Sequence, residues 1–92
     1  MTKLEKGTIL EMTQEAGYAT QKLEVLEIGT YLVNQSDYFY LVKNLRARKH
    51  KFSIISVKTK NSYHVYGYVK TIQEAKEWWE RYSNMYGLQK GA

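Results

Sequence analysis

The feature that most constrains this chain is a capped amphipathic segment near its C-terminus, "KTIQEAKEWWERYSNMYG". Thr71 is followed three residues later by Glu74, which is the spacing of a capping box at the start of a helix. Gly87 stands where a glycine commonly ends one. At helical spacing the segment therefore predicts a helix of about 15 residues with an apolar arc of roughly 140°. That arc contains Ile72, Ala75, Trp78, Trp79, Tyr82, Met85 and Tyr86.

Upstream of this helix, the chain has the composition of β-strands. Segments 37–44, 51–59 and 63–70 are rich in β-branched and aromatic residues and are separated by turn or loop residues. Further strands are predicted over 7–13, 22–28 and 31–34, with Gly29-Thr30 as a two-residue hairpin turn between the last two.

This order of elements predicts an α+β fold. We expect an antiparallel β-meander of five or six strands, with the one C-terminal amphipathic helix packed on one face. The helix can cover one face of such a sheet. The other face is then exposed to solvent, closed into a partial barrel, or used for binding, and the sequence leaves these three alternatives open.

The length of 92 residues predicts a single domain over residues 1–92. Residues 1–35 are expected to supply the N-terminal strands, residues 36–87 three strands plus the helix, and residues 88–92 a frayed tail. The chain has no cysteine, no apolar run near the ~20 residues of a membrane helix, and no apolar signal-peptide core. We therefore expect a cytoplasmic protein without a membrane partner.

Residues alternate between two sides along the last predicted strand. Tyr63, Val65, Gly67 and Val69 share one side, and the intervening residues His64, Tyr66, Tyr68 and Lys70 share the other. The side with valines and a glycine suits packing under the helix, because glycine permits close approach. The other side is predicted to present polar-tipped aromatic rings.

Positive charge is concentrated in one third of the chain. Residues 38–70 contain eight Lys and Arg side chains and no Asp or Glu, while the whole chain has a formal net charge of +5. Clustered charge of one sign raises the local potential far more than interspersed charge does. The cluster is either a solvated face or a surface for a polyanion, and the lack of acids across the segment favours the polyanion.

Residue types that perform catalysis or bind metals are sparse. Asp37 is the one aspartate, and His50 and His64 stand fourteen residues apart in different segments. The sequence contains no HExxH motif and no glycine-rich phosphate loop. We therefore expect a protein that is not an enzyme and that uses no cofactor and no metal ion.

The basic segment combines two properties of nucleic-acid-binding surfaces. Lys and Arg neutralise phosphates and release counterions, and tyrosine rings stack on unpaired bases. The loop "LRARKHK" is the strongest candidate, because it has no evident structural role. Strand tyrosines are also favoured by β-propensity alone, so part of the set is expected to be core or rim. The predicted contact residues are Arg46, Arg48, Lys49, Lys51, Lys58, Lys60, His64, Tyr66 and Tyr68.

Part of this region resembles a known family. The run from Tyr66 to Thr71, "YGYVKT", followed by Glu74-Ala75, is similar to the last strand–helix junction of APETALA-type DNA-binding domains and of the arm-binding domains of tyrosine recombinases. Lys51-Phe52 is similar to their basic residue before an aromatic. The resemblance covers residues 36–87 and implies a three-stranded sheet in the DNA major groove with the helix behind it. The DNA contacts it implies are Arg46, Arg48, Lys51, Ser53 and Lys58.

Two functions follow as hypotheses. The first is a non-enzymatic nucleic-acid-binding module that uses the basic loop and a sheet face. The alternative is a small phage-type protein that binds and inhibits a host protein with an acidic surface, such as a defence factor. The small size and the Lys-, Tyr- and Asn-rich composition look like those of accessory proteins of phages and mobile elements in bacteria. Pairing of strand edges into a homodimer is a further alternative.

Overall fold

The computed structural model describes residues 4–14, 20–31, 38–57 and 62–90, with the backbone alone at 12–14, 31, 62 and 88–90. The expected α+β class, a largely antiparallel sheet with one C-terminal helix packed against it, is confirmed. The elements in chain order are β1 (Ile9–Gln14), β2 (Thr20–Tyr31), β3 (Tyr38–Asn44), β4 (Phe52–Val57), β5 (Ser62–Val69), α1 (Ile72–Tyr86) and β6 (Leu88–Lys90).

The strands close on themselves. Each strand from β1 to β5 pairs antiparallel with the next. β1 also pairs with β5 in parallel, through Thr13 opposite Ser62 and Gln14 opposite Tyr63. The five strands therefore form a small barrel. Closure decides between the three alternatives for the second sheet face, because that face becomes the barrel interior.

The barrel interior holds one of two apolar cores. Its buried residues come from alternate positions of four strands, as the two-residue period of a strand requires. Burial raises the pKa of Tyr63 to about 12, and it also raises the pKa of Tyr40, whose hydroxyl accepts a 3.1 Å hydrogen bond from the amide of Leu4. The members of this core are Leu23, Val25, Ile28, Tyr40, Val42, Ile55 and Tyr63.

The second core lies between the outer face of the barrel and α1. Leu41 and Ile54 are opposite each other in the β3–β4 register and both point outward, towards the helix. Every residue of β4 from Phe52 to Ser56 is buried, because one side of the strand faces the interior and the other faces α1. The members of this core are Phe39, Leu41, Phe52, Ile54, Ala75, Trp79 and Tyr82.

The predicted caps of α1 are both present. The hydroxyl of Thr71 accepts a hydrogen bond from the amide of Glu74 at 3.1 Å. The Glu74 carboxylate accepts from that same hydroxyl at 3.0 Å. Gly87 has a φ of 63° and donates its amide to the carbonyl of Ser83, which ends the helix.

The buried stripe of α1 differs from the predicted apolar arc. Ala75, Trp79 and Tyr82 are buried as expected, and Ser83 is buried with them. Met85 is exposed because it lies on the edge of the arc away from Ser83. Ile72 and Tyr86 are exposed at the two ends of the helix. The stripe is therefore shorter than the sequence predicted and is rotated towards Ser83.

The predicted hairpin at Gly29-Thr30 is wrong. β2 runs without interruption from Thr20 to Tyr31, with one register shift between Val25 and Glu27. Gly29 and Thr30 both pair with β3 on one side and with β6 on the other, so neither residue turns the chain. Pairing of β2 with β3 and with β6 thus overrides the local preference of a Gly-first dipeptide for a turn.

The predicted frayed tail over residues 88–92 is also wrong for its first three residues. Leu88–Lys90 form β6, which pairs antiparallel with the end of β2 through the pairs Leu88–Tyr31, Gln89–Thr30 and Lys90–Gly29. The αL turn at Gly87 reverses the chain and lays it against a strand whose edge is otherwise open there. Residues 91–92 lie outside the described part of the chain.

Candidate nucleic-acid interface

The cations of the sequence motif "LRARKHK" lie on one exposed loop. Residues 45–51, which we call the basic loop, connect β3 to β4. Arg48, Lys49, His50 and Lys51 are all exposed. Lys70 is also exposed. It lies next to the basic loop, because Val69 pairs with Phe52, and these two residues adjoin Lys70 and Lys51 in the chain. The barrel therefore has a basic end, formed by the basic loop and the last residues of β5.

Asn44 connects the basic loop to the start of β2. Its side-chain amide donates to Gln21 Oε1 at 2.9 Å, and its Oδ1 accepts from the backbone amide of Arg46 at 2.9 Å. The next residue, Leu45, donates its backbone amide to the carbonyl of Lys22 at 2.8 Å. These bonds hold the first residues of the loop in a defined conformation.

Arg46 differs from the other loop cations because its guanidinium is engaged within the protein. One nitrogen, Nη1, donates to the carbonyl of Thr20 at 3.1 Å, and Nη2 lies 3.7 Å from Glu11 Oε1. The sequence predicts Arg46 as a contact residue in a loop with no structural role. In the structure its exposed side chain also bonds to β1 and β2, which spacing alone did not show because Thr20 and Glu11 are distant in sequence.

A bulge in β5 separates two tyrosines that the sequence placed on one side. Ser53 pairs with Tyr68 and Ile55 pairs with Val65, so β5 contains one extra residue over this stretch. Before the bulge, Tyr63 and Val65 face the barrel interior. After it, Val69 faces the helix, and Gly67 lies under Trp78. The predicted two-sided alternation is therefore wrong beyond Tyr66.

Tyr68 lies at the basic end. Its ring is 46% exposed and makes an edge contact with His50, with the ring centroids 6.2 Å apart. An exposed aromatic ring is thereby placed beside the cations of the basic loop. The sequence predicts that both belong to one nucleic-acid-binding surface, and this stays a prediction.

Tyr66 and His64 lie elsewhere, on the outer face beside the C-terminal half of α1. The Tyr66 hydroxyl is 3.1 Å from Ser56 Oγ, and its ring packs 5.7 Å from that of Phe39 and 6.0 Å from that of Tyr82. His64 makes an edge contact with Tyr66 at 4.7 Å. The structure therefore does not bring these two predicted site residues together with the basic loop.

Three other predicted contacts are not part of the described surface of the basic end. Lys58 and Lys60 are outside the described residues, so their prediction stays open. Ser53, which the resemblance implied as a DNA contact, is 4% exposed and lies among buried residues of β4. Both faces of β4 are covered, so a ligand near β4 can contact the basic loop but not a face of this strand.

The described residues contain no group of three or more His, Cys, Asp or Glu side chains placed to hold a metal ion. No helix among them is long and apolar enough to cross a membrane. Sequence reasoning missed Asn44, Gln21 and Glu11, since no local motif marks residues that act across strands.

Comparison with known proteins adds no relative to this description. No family model, curated protein or solved structure matches the chain.

Proposed function

We propose that this chain is a non-enzymatic nucleic-acid-binding module that binds its polymer at the basic end of the barrel. The observation that carries the proposal is the placement of Arg48, Lys49 and Lys51 on one exposed loop, with the exposed ring of Tyr68 beside it. Arg46 is paired with Glu11. Arg48, Lys49 and Lys51 are exposed, so their positive charge is directed to solvent.

The physical basis is charge neutralisation together with stacking. Each cation that meets a phosphate releases condensed counterions, so binding is expected to weaken steeply as salt is raised. Tyr68 would add a contact of about 1–3 kcal/mol by stacking on an unpaired base. Nothing in this arrangement reads base edges, so we expect little sequence preference.

The cellular setting is part of the same proposal. A domain of this size and composition is of the kind that phages and mobile elements encode as accessory proteins. We therefore propose a role in the cytoplasm of a bacterial host, where the module would act on nucleic acid directly.

The proposal is tested by titrating the protein with random duplex DNA, single-stranded DNA and RNA at two salt concentrations. The double variant Arg48→Ala/Lys49→Ala is expected to lose affinity and to show a salt slope smaller by roughly 0.7–0.9 per lost phosphate contact. The matched control is Lys76→Ala/Arg81→Ala, which removes the same charge from exposed positions of α1. Equal losses in both variants, or no binding of wild type to any polymer at low salt, contradict the proposal.

A second candidate, inhibition of a host protein, is favoured by one specific observation. Met85 and Tyr86 at the end of α1 are 72% and 48% exposed. Tyr66 is also exposed, and it lies close to Tyr86 because the ring of Tyr82 contacts both of them. Exposed aromatic side chains and methionine are enriched in protein interfaces. This surface is separate from the basic end.

This alternative is tested by pull-down from a nuclease-treated bacterial lysate. A stoichiometric protein partner that is lost with Met85→Ala/Tyr86→Ala and retained with Arg48→Ala/Lys49→Ala would favour inhibition of a host protein. Recovery of no stoichiometric partner counts against it.

A further inference from the structure

We infer that Asn44 and Arg46 are positioning residues that hold the basic loop against the start of β2, so that Arg48, Lys49 and Lys51 are presented to the polymer in a set shape. This inference rests on the proposed function where it concerns binding. The part that concerns the shape of the loop stands on hydrogen bonds within the protein.

The first step is the position of Asn44 in the hydrogen-bond network. Its side chain bonds forward to the amide of Arg46 and across to the side chain of Gln21, while its backbone amide donates to the carbonyl of Lys51 at 2.6 Å. One residue therefore ties together both ends of the loop and the neighbouring strand. The Asn44 side chain makes a bond in each direction because an amide group carries both a donor and an acceptor.

The second step is the fork of Arg46. A guanidinium presents several donors in a rigid plane, so it reaches the carbonyl of Thr20 and the carboxylate of Glu11 together. An exposed ion pair such as this contributes little alone. Here the ion pair acts together with the Arg46–Thr20 hydrogen bond and with the side-chain bonds of Asn44. All three hold the basic loop against the start of β2.

The third step concerns the charge of Glu11. A carboxylate beside a phosphate-binding loop opposes the approach of a polyanion. On electrostatic grounds alone its removal should tighten binding. If Glu11 instead serves to hold Arg46, its removal loosens the loop, and a loose loop loses more conformational freedom when it binds. The two views therefore predict opposite signs.

The binding test compares variants of equal charge. Arg46→Lys keeps the charge but loses the fork, and it is expected to weaken binding about three- to tenfold with an unchanged salt slope. Its control is Arg81→Lys on α1. Glu11→Gln is expected to bind more weakly than Glu77→Gln, which makes the same charge change on the helix. Unchanged affinity for Arg46→Lys, or tighter binding for Glu11→Gln, overturns the inference.

A second measurement does not depend on nucleic acid. The Leu45 amide, which donates to Lys22, reports docking of the loop through its hydrogen exchange. We expect it to exchange roughly two- to tenfold faster in Arg46→Lys and in Asn44→Ala than in Arg81→Lys. Unchanged exchange overturns the positioning role. If the Leu45 amide exchanges faster in these variants but the wild-type protein binds no polymer, the positioning role is supported and the proposed function is refuted.

Discussion

Tyr66 and Tyr68 are two residues apart on β5, and they belong to different regions of the molecule. Tyr66 lies on the outer face beside α1, where it contacts Phe39, Tyr82 and Ser56. Tyr68 lies at the basic end next to His50. Their exposed fractions are nearly the same, 40% and 46%. Exposure alone therefore does not distinguish the two residues. The Tyr66 ring packs against Phe39 and Tyr82, whereas the Tyr68 ring borders the basic loop.

The bulge between them creates this difference. In a regular strand, residues two apart share a face. The extra residue in β5 shifts the register by one, and Gly67 then lies close under Trp78. Bulges re-aim side chains in this way near functional sites. The comparison predicts that the outer face contributes to stability and the basic end to binding, and four measurements can break or sharpen that division.

The largest expected effect is on stability, in Trp79→Ala. Trp79 is buried in the core between α1 and the barrel, and its removal should lower the free energy of unfolding by about 3–5 kcal/mol. Arg48→Ala at the basic end should change it by less than about 0.5 kcal/mol while weakening polymer binding. Urea unfolding of both variants checks this. A large loss of stability in Arg48→Ala would remove the division between the two regions.

Gly67→Ala tests the bulge itself. A Cβ at this position would lie 3.2 Å from Cζ2 of Trp78, and the residue has a positive φ of 150°. We expect a loss of about 1–3 kcal/mol in unfolding free energy. In a Trp78→Ala background the same change should cost less, because the ring that it meets is gone. Equal costs in the two backgrounds would show that Trp78 is not the reason for the glycine.

Ser83→Ala is expected to raise stability. Ser83 is buried in α1, and its Oγ has no hydrogen-bond partner among the described residues, so the hydroxyl is desolvated without a compensating bond there. Removing it should add about 1 kcal/mol, together with a few tenths from the better helix propensity of alanine. The exposed neighbour Asn84→Ala supplies the propensity effect alone. Thermal unfolding of both variants gives the comparison, and a destabilised Ser83→Ala would mean that the hydroxyl serves a purpose in the packed layer.

The smallest expected effect separates the two tyrosines directly. Tyr66→Phe should cost about 0.5–1 kcal/mol, because it breaks the hydrogen bond to Ser56, which is itself buried. Tyr68→Ala, not Tyr66→Ala, should weaken single-strand binding. Paired urea titrations and binding curves check this, and the reverse pattern would exchange the roles of the two regions.

Much of the fold follows from local signals. The capping box at Thr71 and the glycine at Gly87 predicted the ends of α1, because both act within one helical turn. Composition predicted β3, β4 and β5 within two residues of their observed ends. The exposed cations of the basic loop were also expected, since charged side chains in a loop remain in solvent.

The errors share one cause, which is pairing between segments far apart in the chain. The hairpin at Gly29-Thr30 and the frayed tail at residues 88–92 were predicted from local preference, whereas β2 and β6 pair with each other. The alternation along β5 failed at a bulge that exists only in register with β4. The intramolecular bond of Arg46 was not foreseen, because Thr20 lies 26 residues away from it in sequence.

The sequence by itself determined the fold class, the helix with its two caps, and the clustering of positive charge, because each depends on residues close together in the chain. Only the tertiary structure decided that the sheet closes into a barrel, that Tyr66 and Tyr68 face different regions, and that the exposed side chain of Arg46 bonds back to β1 and β2. These features depend on which strands pair and in what register. The register of a strand depends on which of its two faces is buried against the other strands, so it cannot be read from one segment alone.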